Sequence, residues 1–88
     1  MTIQLHKNFE KQYKKLKARE GQKVKDRLQL FLENPFNPSL NNHPLKGKYT
    51  DYRSISVSGD LRAIFKMLSE NEYIFVAVDT HSNLYSEL

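Results

Sequence analysis

Eighty-eight residues, no cysteine, and 14 Lys and Arg against 10 Asp and Glu describe a short basic chain. A chain of this length buries only roughly 60–65% of the surface it exposes when unfolded, so one small core, a single domain over residues 1–88 and a shallow surface site are expected. The absence of Cys excludes a disulfide framework and a thiolate metal site.

No stretch approaches the roughly 20 apolar residues that span a bilayer. Lys7 and Glu10 interrupt any run of signal-peptide kind. A soluble, cytoplasmic protein with no membrane partner is expected. The charge is uneven: residues 1–30 carry nine Lys or Arg and three acids, residues 31–88 five and seven. A basic first third suits a polyanion such as nucleic acid, or an acidic protein partner; the same charges also serve as a solvated helix face.

Thr2 to His6 alternates, with Ile3 and Leu5 on one side, and predicts a short strand. Asn8 is a plausible N-cap. Phe9, Tyr13 and Leu16 then recur at helical spacing, with Lys11, Lys14, Lys15 and Lys17 around the cylinder, which predicts a helix over residues 9–19 ended by Gly21. A second helix is expected from Gln22 to Glu33, with Val24, Leu28, Phe31 and Leu32 as its apolar stripe. Asn34-Pro35 stops it, and residues 35–50 read as a loop.

Tyr52 to Ser58 predicts a strand with Arg53, Ile55 and Val57 on one face and Tyr52, Ser54 and Ser56 on the other. Ser58-Gly59-Asp60 is a tight hairpin signal, and Leu61 to Leu68 returns. After a turn at residues 69–72, Tyr73 to Val78 is a nearly continuous apolar run, as a central strand requires. The order β-α-α-β-β-β describes an α+β fold of two layers, a curled antiparallel-rich sheet with a helical hairpin on one face. Periodicity leaves open whether the first strand joins an edge or the middle of the meander.

The polar groups that can do chemistry gather near strand ends: His43, Asp60 and His81, with Arg62 on the return strand and on the face of Asp60. Histidine exchanges a proton near neutral pH, and arginine grips phosphate bidentately. Tyr52 and Tyr85 can stack on bases. These are parts for cutting RNA without metal: a base for the 2′-hydroxyl, an acid for the leaving 5′-oxygen and a cation for the phosphorane. Each also has a plainer reading. Asp60 suits the turn, His43 a loop, His81 the cap of a terminal turn, and Arg62 a surface pair with Asp51 or Glu70. His6 reads as structural and Tyr13 as core. Two histidines so far apart in sequence do not make a zinc site; no metal and no cofactor are expected.

The run His43-Pro-Leu-Lys-Gly, then Tyr52-Arg53, Asp60, Ile64-Phe65-Lys66, Thr80-His81 and Leu84 resembles the YafQ-like branch of the RelE-type toxins of bacterial type II toxin–antitoxin systems. The resemblance spans most of the chain, the basic helical hairpin included. It implies a RelE-like fold and a ribosome-dependent mRNA endoribonuclease, an mRNA interferase that cuts in the A site and inhibits translation. It also implies a cognate antitoxin as partner, with operator DNA met only through the antitoxin complex.

Carried over by position, His81 matches the C-terminal catalytic His, Asp60 the functional Asp, and His43 the first functional His. Arg62 resembles the phosphate-gripping Arg of RelE. Another His of that branch falls at Ser56, which cannot take a proton at neutral pH, so the role that His filled is either lost or shared by His43 and His81. Tyr85, Tyr52, Arg53, Lys46 and Lys48 are expected on mRNA, and Lys11, Lys14, Lys15 and Lys17 on ribosomal RNA. Two alternatives share the fold: a ParE-like toxin that poisons DNA gyrase and cuts no RNA, and a degenerate toxin acting as an antitoxin-binding repressor subunit.

Overall fold

A computed structural model describes residues 1–85 of the chain; the expected domain, drawn to residue 88, reaches past them. In chain order the elements are β1 (Thr2–Leu5), α1 (Lys7–Lys14), α2 (Ala18–Glu33), β2 (His43–Pro44), β3 (Arg53–Ser58), β4 (Leu61–Ser69), β5 (Glu72–Thr80) and α3 (His81–Tyr85). The strands form one open sheet in the order β1-β5-β4-β3-β2. The meander β2 to β5 is antiparallel, and β1 lies parallel to β5 at the edge, Ile3 opposite Tyr73. Among the described residues no helix is long and apolar enough to cross a membrane.

Alternation decides the two faces. Arg53 faces Phe65 and Ile55 faces Ala63 across the β3–β4 ladder, while Ser54 faces Ile64 and Ser56 faces Arg62. The first set turns toward the helices, where Phe9, Val24, Phe31, Ile55, Val57, Phe65, Phe75 and Val78 form the buried core. Phe31 of α2 sits at its centre, wholly buried, with edge-on contacts to Phe65, Tyr73 and Phe75. Fully burying a side chain of this size contributes about 1.5–3 kcal/mol. Arg27 of α2 donates from Nε to the Val57 carbonyl at 3.1 Å and ties the helix to β3.

The helical hairpin breaks earlier than expected. Its bend is at residues 15–17 rather than at Gly21, which lies inside α2. Lys15 and Leu16 close the first helix with tight bonds to Gln12 and Tyr13. The Glu20 carboxylate accepts from the Lys17 backbone N–H at 3.3 Å and opens the second. Gly21 is covered by Tyr13, whose hydroxyl donates to its carbonyl at 3.4 Å. The N-cap of α1 is His6 rather than Asn8: its Nδ1 accepts from the Asn8 N–H at 3.0 Å.

The edge of β5 shows why the hairpin begins there. β1 covers it as far as Phe75, whose carbonyl accepts from the His6 N–H. Beyond that point side chains of α1 continue the ladder: Asn8 Nδ2 donates to the Val76 carbonyl and Gln12 Oε1 accepts from the Val78 N–H, both at 2.9 Å. Polar backbone that no strand covers is thus paired by amide side chains.

The expected loop over residues 35–50 holds more structure than turn residues alone predict. Two 3-10 turns, Pro38–Leu40 and Gly47–Tyr49, flank the two-residue β2. The order is therefore β-α-α-β-β-β-β-α, with β2 and α3 added to the expected elements.

Candidate functional site

The sheet face away from the helices carries the polar groups. Successive rows across it read His43–Ser54–Ile64–Ala77, then Ser56–Arg62–Asp79. Its centre is covered: Ser54 and Ile64 are buried, as is Leu84 of α3. Two polar atoms there, Ser54 Oγ and Tyr85 Oη, are buried without a hydrogen-bond partner among the described residues.

His81 is exposed and is the first residue of α3. Its backbone N–H donates to the Asp60 carbonyl at 2.7 Å, so the β3–β4 turn and the end of β5 meet there. Thr80 and Asp79 fix the turn of chain that presents it. Thr80 Oγ1 accepts from the Asn83 N–H at 3.2 Å, and Asp79 Oδ1 accepts from the Thr80 N–H at 2.7 Å and from Asn83 Nδ2 at 3.1 Å. The cap is therefore Thr80, which leaves the His81 ring to pack on Tyr85 at 4.6 Å between centroids.

Asp60 is exposed in the two-residue turn and lies outside the strand alternation that would put it on the face of Arg62. Gly59 before it takes φ +50°, the conformation such a turn asks of its first residue. Arg62, half-buried, folds back over the turn: one terminal nitrogen donates to the Gly59 carbonyl at 2.8 Å and to the Leu61 carbonyl at 3.0 Å. Its cross-strand neighbours are Ser56 and Asp79 rather than Asp51 or Glu70. A guanidinium has five N–H donors, so this anchoring leaves donors for an anion.

His43 stands apart from the other two. Its strand is separated from β5 by β3 and β4, three spacings of roughly 4.8 Å. Its Nδ1 lies 2.8 Å from the Asn41 carbonyl.

A chain of rings crosses the face from His81. Tyr85 meets Tyr49 at 6.4 Å, and Tyr49 meets Tyr52 at 6.0 Å. Cations sit on these rings: Lys48 lies 5.4 Å from the Tyr49 centroid and Lys66 5.4 Å from that of Tyr52. Tyr49, Tyr52 and Lys66 line a hollow of about 520 Å³ with His6, Asn8 and Ile74. Sequence reasoning missed Tyr49 and Lys66 as site residues. The signal for Tyr49 was an aromatic beside a lysine within a short basic segment; for Lys66 it was a lone cation at the alternation of Ser54 and Ile64.

The remaining expected residues fall elsewhere. Lys46 is exposed at the start of the second 3-10 turn. Arg53 is on the helix side of β3, bound through Nε to Asn42 Oδ1 at 2.7 Å. Lys11, Lys14 and Lys15 share a groove on α1 with Lys7 and Glu10, and Lys17 begins α2. Among the described residues no three of His, Asp and Glu gather as a metal ligand set.

Comparison with known proteins agrees with this fold. No curated protein sequence matches the chain. A crystal structure of YafQ from E. coli superposes with a TM-score of 0.80 at 26% identity, covering 96% of this chain and 97% of that one. The toxin in the E. coli DinJ–YafQ toxin–antitoxin complex does so with 0.77 at 26%, covering 96% of each. A YoeB/ParE toxin from Agrobacterium tumefaciens gives 0.77 at 19%, covering 92% and 99%, a likeness of fold alone. The architecture is RelE-like. The family model for YafQ, a bacterial toxin of type II toxin–antitoxin systems, matches residues 1–86. The chain belongs to the YafQ family of type II toxins.

Proposed function

We propose that this toxin is a ribosome-dependent mRNA endoribonuclease that works without metal. The observation that carries the reading is the junction of the β3–β4 turn with α3. There the Asp60 carbonyl holds the His81 backbone, and Arg62 anchors the same turn. One proton-exchanging ring and one guanidinium thus share a corner at the rim of a face lined by rings and lysines.

The reaction follows from the groups. A base removes the 2′-hydroxyl proton of the nucleotide 5′ to the scissile bond. The 2′-oxygen attacks phosphorus and the bond to the 5′-oxygen breaks. An acid protonates that oxygen. The products carry a 2′,3′-cyclic phosphate and a 5′-hydroxyl. His81 serves as acid or base, Asp60 assists it, and Arg62 stabilises the charged phosphorane. His43, three strands away, serves substrate placement rather than proton transfer. Tyr85, Tyr52, Arg53, Lys46 and Lys48 hold mRNA. Lys11, Lys14, Lys15 and Lys17 hold ribosomal RNA by phosphate contacts, which makes binding salt-sensitive. The partner that silences the toxin is a cognate antitoxin, by analogy with the DinJ–YafQ complex, and operator DNA is met only through that complex.

The test is cleavage of mRNA on programmed ribosomes and of the same RNA alone, by purified protein. Ribosome-dependent fragments with cyclic phosphate ends are expected. Folded protein that cuts neither RNA, with DNA damage in expressing cells, would overturn the reading in favour of a gyrase poison.

A further inference from the structure

We propose that Phe36 is a stacking platform for an unpaired RNA base, at the far end of a track of rings and cations that begins at His81. The proposal rests on the RNA-cutting reading and extends its substrate contact beyond the scissile nucleotide.

Among the described residues Phe36 is the most exposed large hydrophobic, at 66%. A bare aromatic ring on a surface is informative when the backbone around it is held in place, and here it is. The Phe36 N–H donates to Asn34 Oδ1 at 3.0 Å. Asn42 bridges the loop to the sheet: its Nδ2 donates to the Pro35 carbonyl at 2.9 Å, and its Oδ1 accepts from Arg53 Nε at 2.7 Å. The Arg53 guanidinium lies 5.6 Å from the Phe36 ring centroid. One asparagine thus sets both the ring and the cation beside it. A loop that needed only to connect α2 to β2 would need neither.

The place also fits RNA. Phe36 and Arg53 border a hollow of about 660 Å³ that reaches Tyr52 and Lys66. Those same two residues line the hollow beside Tyr49. A strand leaving His81 can therefore pass over Tyr85, Tyr49 and Tyr52 and reach Phe36 through the hollow that Tyr52 and Phe36 share, with Lys48, Lys66 and Arg53 along the way. Rings for bases with cations for phosphates are the two components of sequence-tolerant single-strand binding. Among the described residues that border the Phe36 hollow, Asp51 is the one acid against two cations, so charge favours a polyanion over an acidic peptide.

The experiment uses purified full-length toxin on ribosomes programmed with mRNA whose A-site codon is 2′-O-methylated and cannot be cut. 2-Aminopurine is placed at one position at a time on either side of that codon, since stacking quenches its fluorescence. Wild type is expected to quench at a position several nucleotides from the blocked bond. Phe36→Ala should lose that quenching and bind about 5- to 150-fold more weakly, and Phe36→Trp should retain it. Unmodified mRNA run in parallel tests cutting separately: quenching without cutting supports the platform and removes the nuclease. Equal quenching by wild type and Phe36→Ala, no quenching by wild type at any position, or a Phe36→Ala defect confined to antitoxin binding overturns the platform.

Discussion

Toward the helices, Phe31 meets Phe65, Tyr73 and Phe75 with ring centroids 4.9 to 5.3 Å apart. On the opposite face the rings of Tyr49, Tyr52 and Tyr85 stand 6.0 to 6.4 Å apart, with lysines over two of them. One sheet separates the two clusters, and period-two alternation assigns its strand residues to one face or the other; Phe31 comes from α2, and the three tyrosines from the Gly47–Tyr49 turn, the approach to β3 and α3. In the first cluster Phe31, Phe65 and Phe75 are fully buried. The second is looser, and its face keeps two buried hydroxyls, Ser54 Oγ and Tyr85 Oη, that have no partner among the described residues. The contrast teaches that stability and chemistry are separable here by face of the sheet, and substitutions on the two faces should fail in different ways.

The largest effect is expected at His81. His81→Ala should slow single-turnover mRNA cleavage by about 10²–10⁴-fold and leave the thermal unfolding midpoint near wild type, because the side chain is exposed. A variant that cuts as fast as wild type would remove His81 from the reaction. Phe31→Ala should do the reverse. It should lower unfolding stability by about 3–5 kcal/mol in denaturant titration, and any loss of cutting should track the fraction unfolded. Arg62→Ala should slow cleavage about 10²–10³-fold and lower stability by only about 1 kcal/mol, through the lost bonds to the turn carbonyls. A larger loss of stability than of rate would make Arg62 a structural anchor of the turn.

The smallest effect sharpens the helix side. Gly21 lies within α2, where Ala is favoured by roughly 0.8–1 kcal/mol. A Cβ there would meet the Tyr13 hydroxyl at 3.5 Å, an ordinary contact. Gly21→Ala should therefore stabilise the protein by up to about 1 kcal/mol in denaturant titration, without changing cleavage. A destabilised variant would mean that Tyr13 cannot accommodate the added methyl group.

Much of the fold was legible because it is local. Val24, Leu28 and Phe31 marked the buried side of α2 by spacing alone, and Ile55 and Val57 marked the core side of β3. The turn at Gly59-Asp60 and the central place of the apolar Tyr73–Val78 run were readable for the same reason. The helix break was misplaced because Gly is a breaker only where nothing else decides. Glu20 opens α2 by a local bond to Lys17, three residues before it, whereas Tyr13 lies over Gly21 only once the hairpin has folded. The short β2 carried no pattern, since two residues cannot show a period; its partner β3 defines it.

The candidate site divides in the same way. His81, Asp60 and Arg62 stood out by residue type near strand ends, but no spacing told which of them meet. The bond from the His81 N–H to the Asp60 carbonyl joins positions 21 residues apart, and the sheet order puts His43 on the far side of two strands. Tyr49 and Phe36 gave little signal, because a loop aromatic acquires its neighbours from elsewhere in the chain. The sequence by itself determined the faces of helices and strands, the charge of the hairpin and the residue types of the site, all through local covalent geometry. Only the tertiary structure decided the parallel pairing of β1 with β5, the ring track across the open face and the separation of His43 from His81, because hydrogen bonding and packing between distant segments set them.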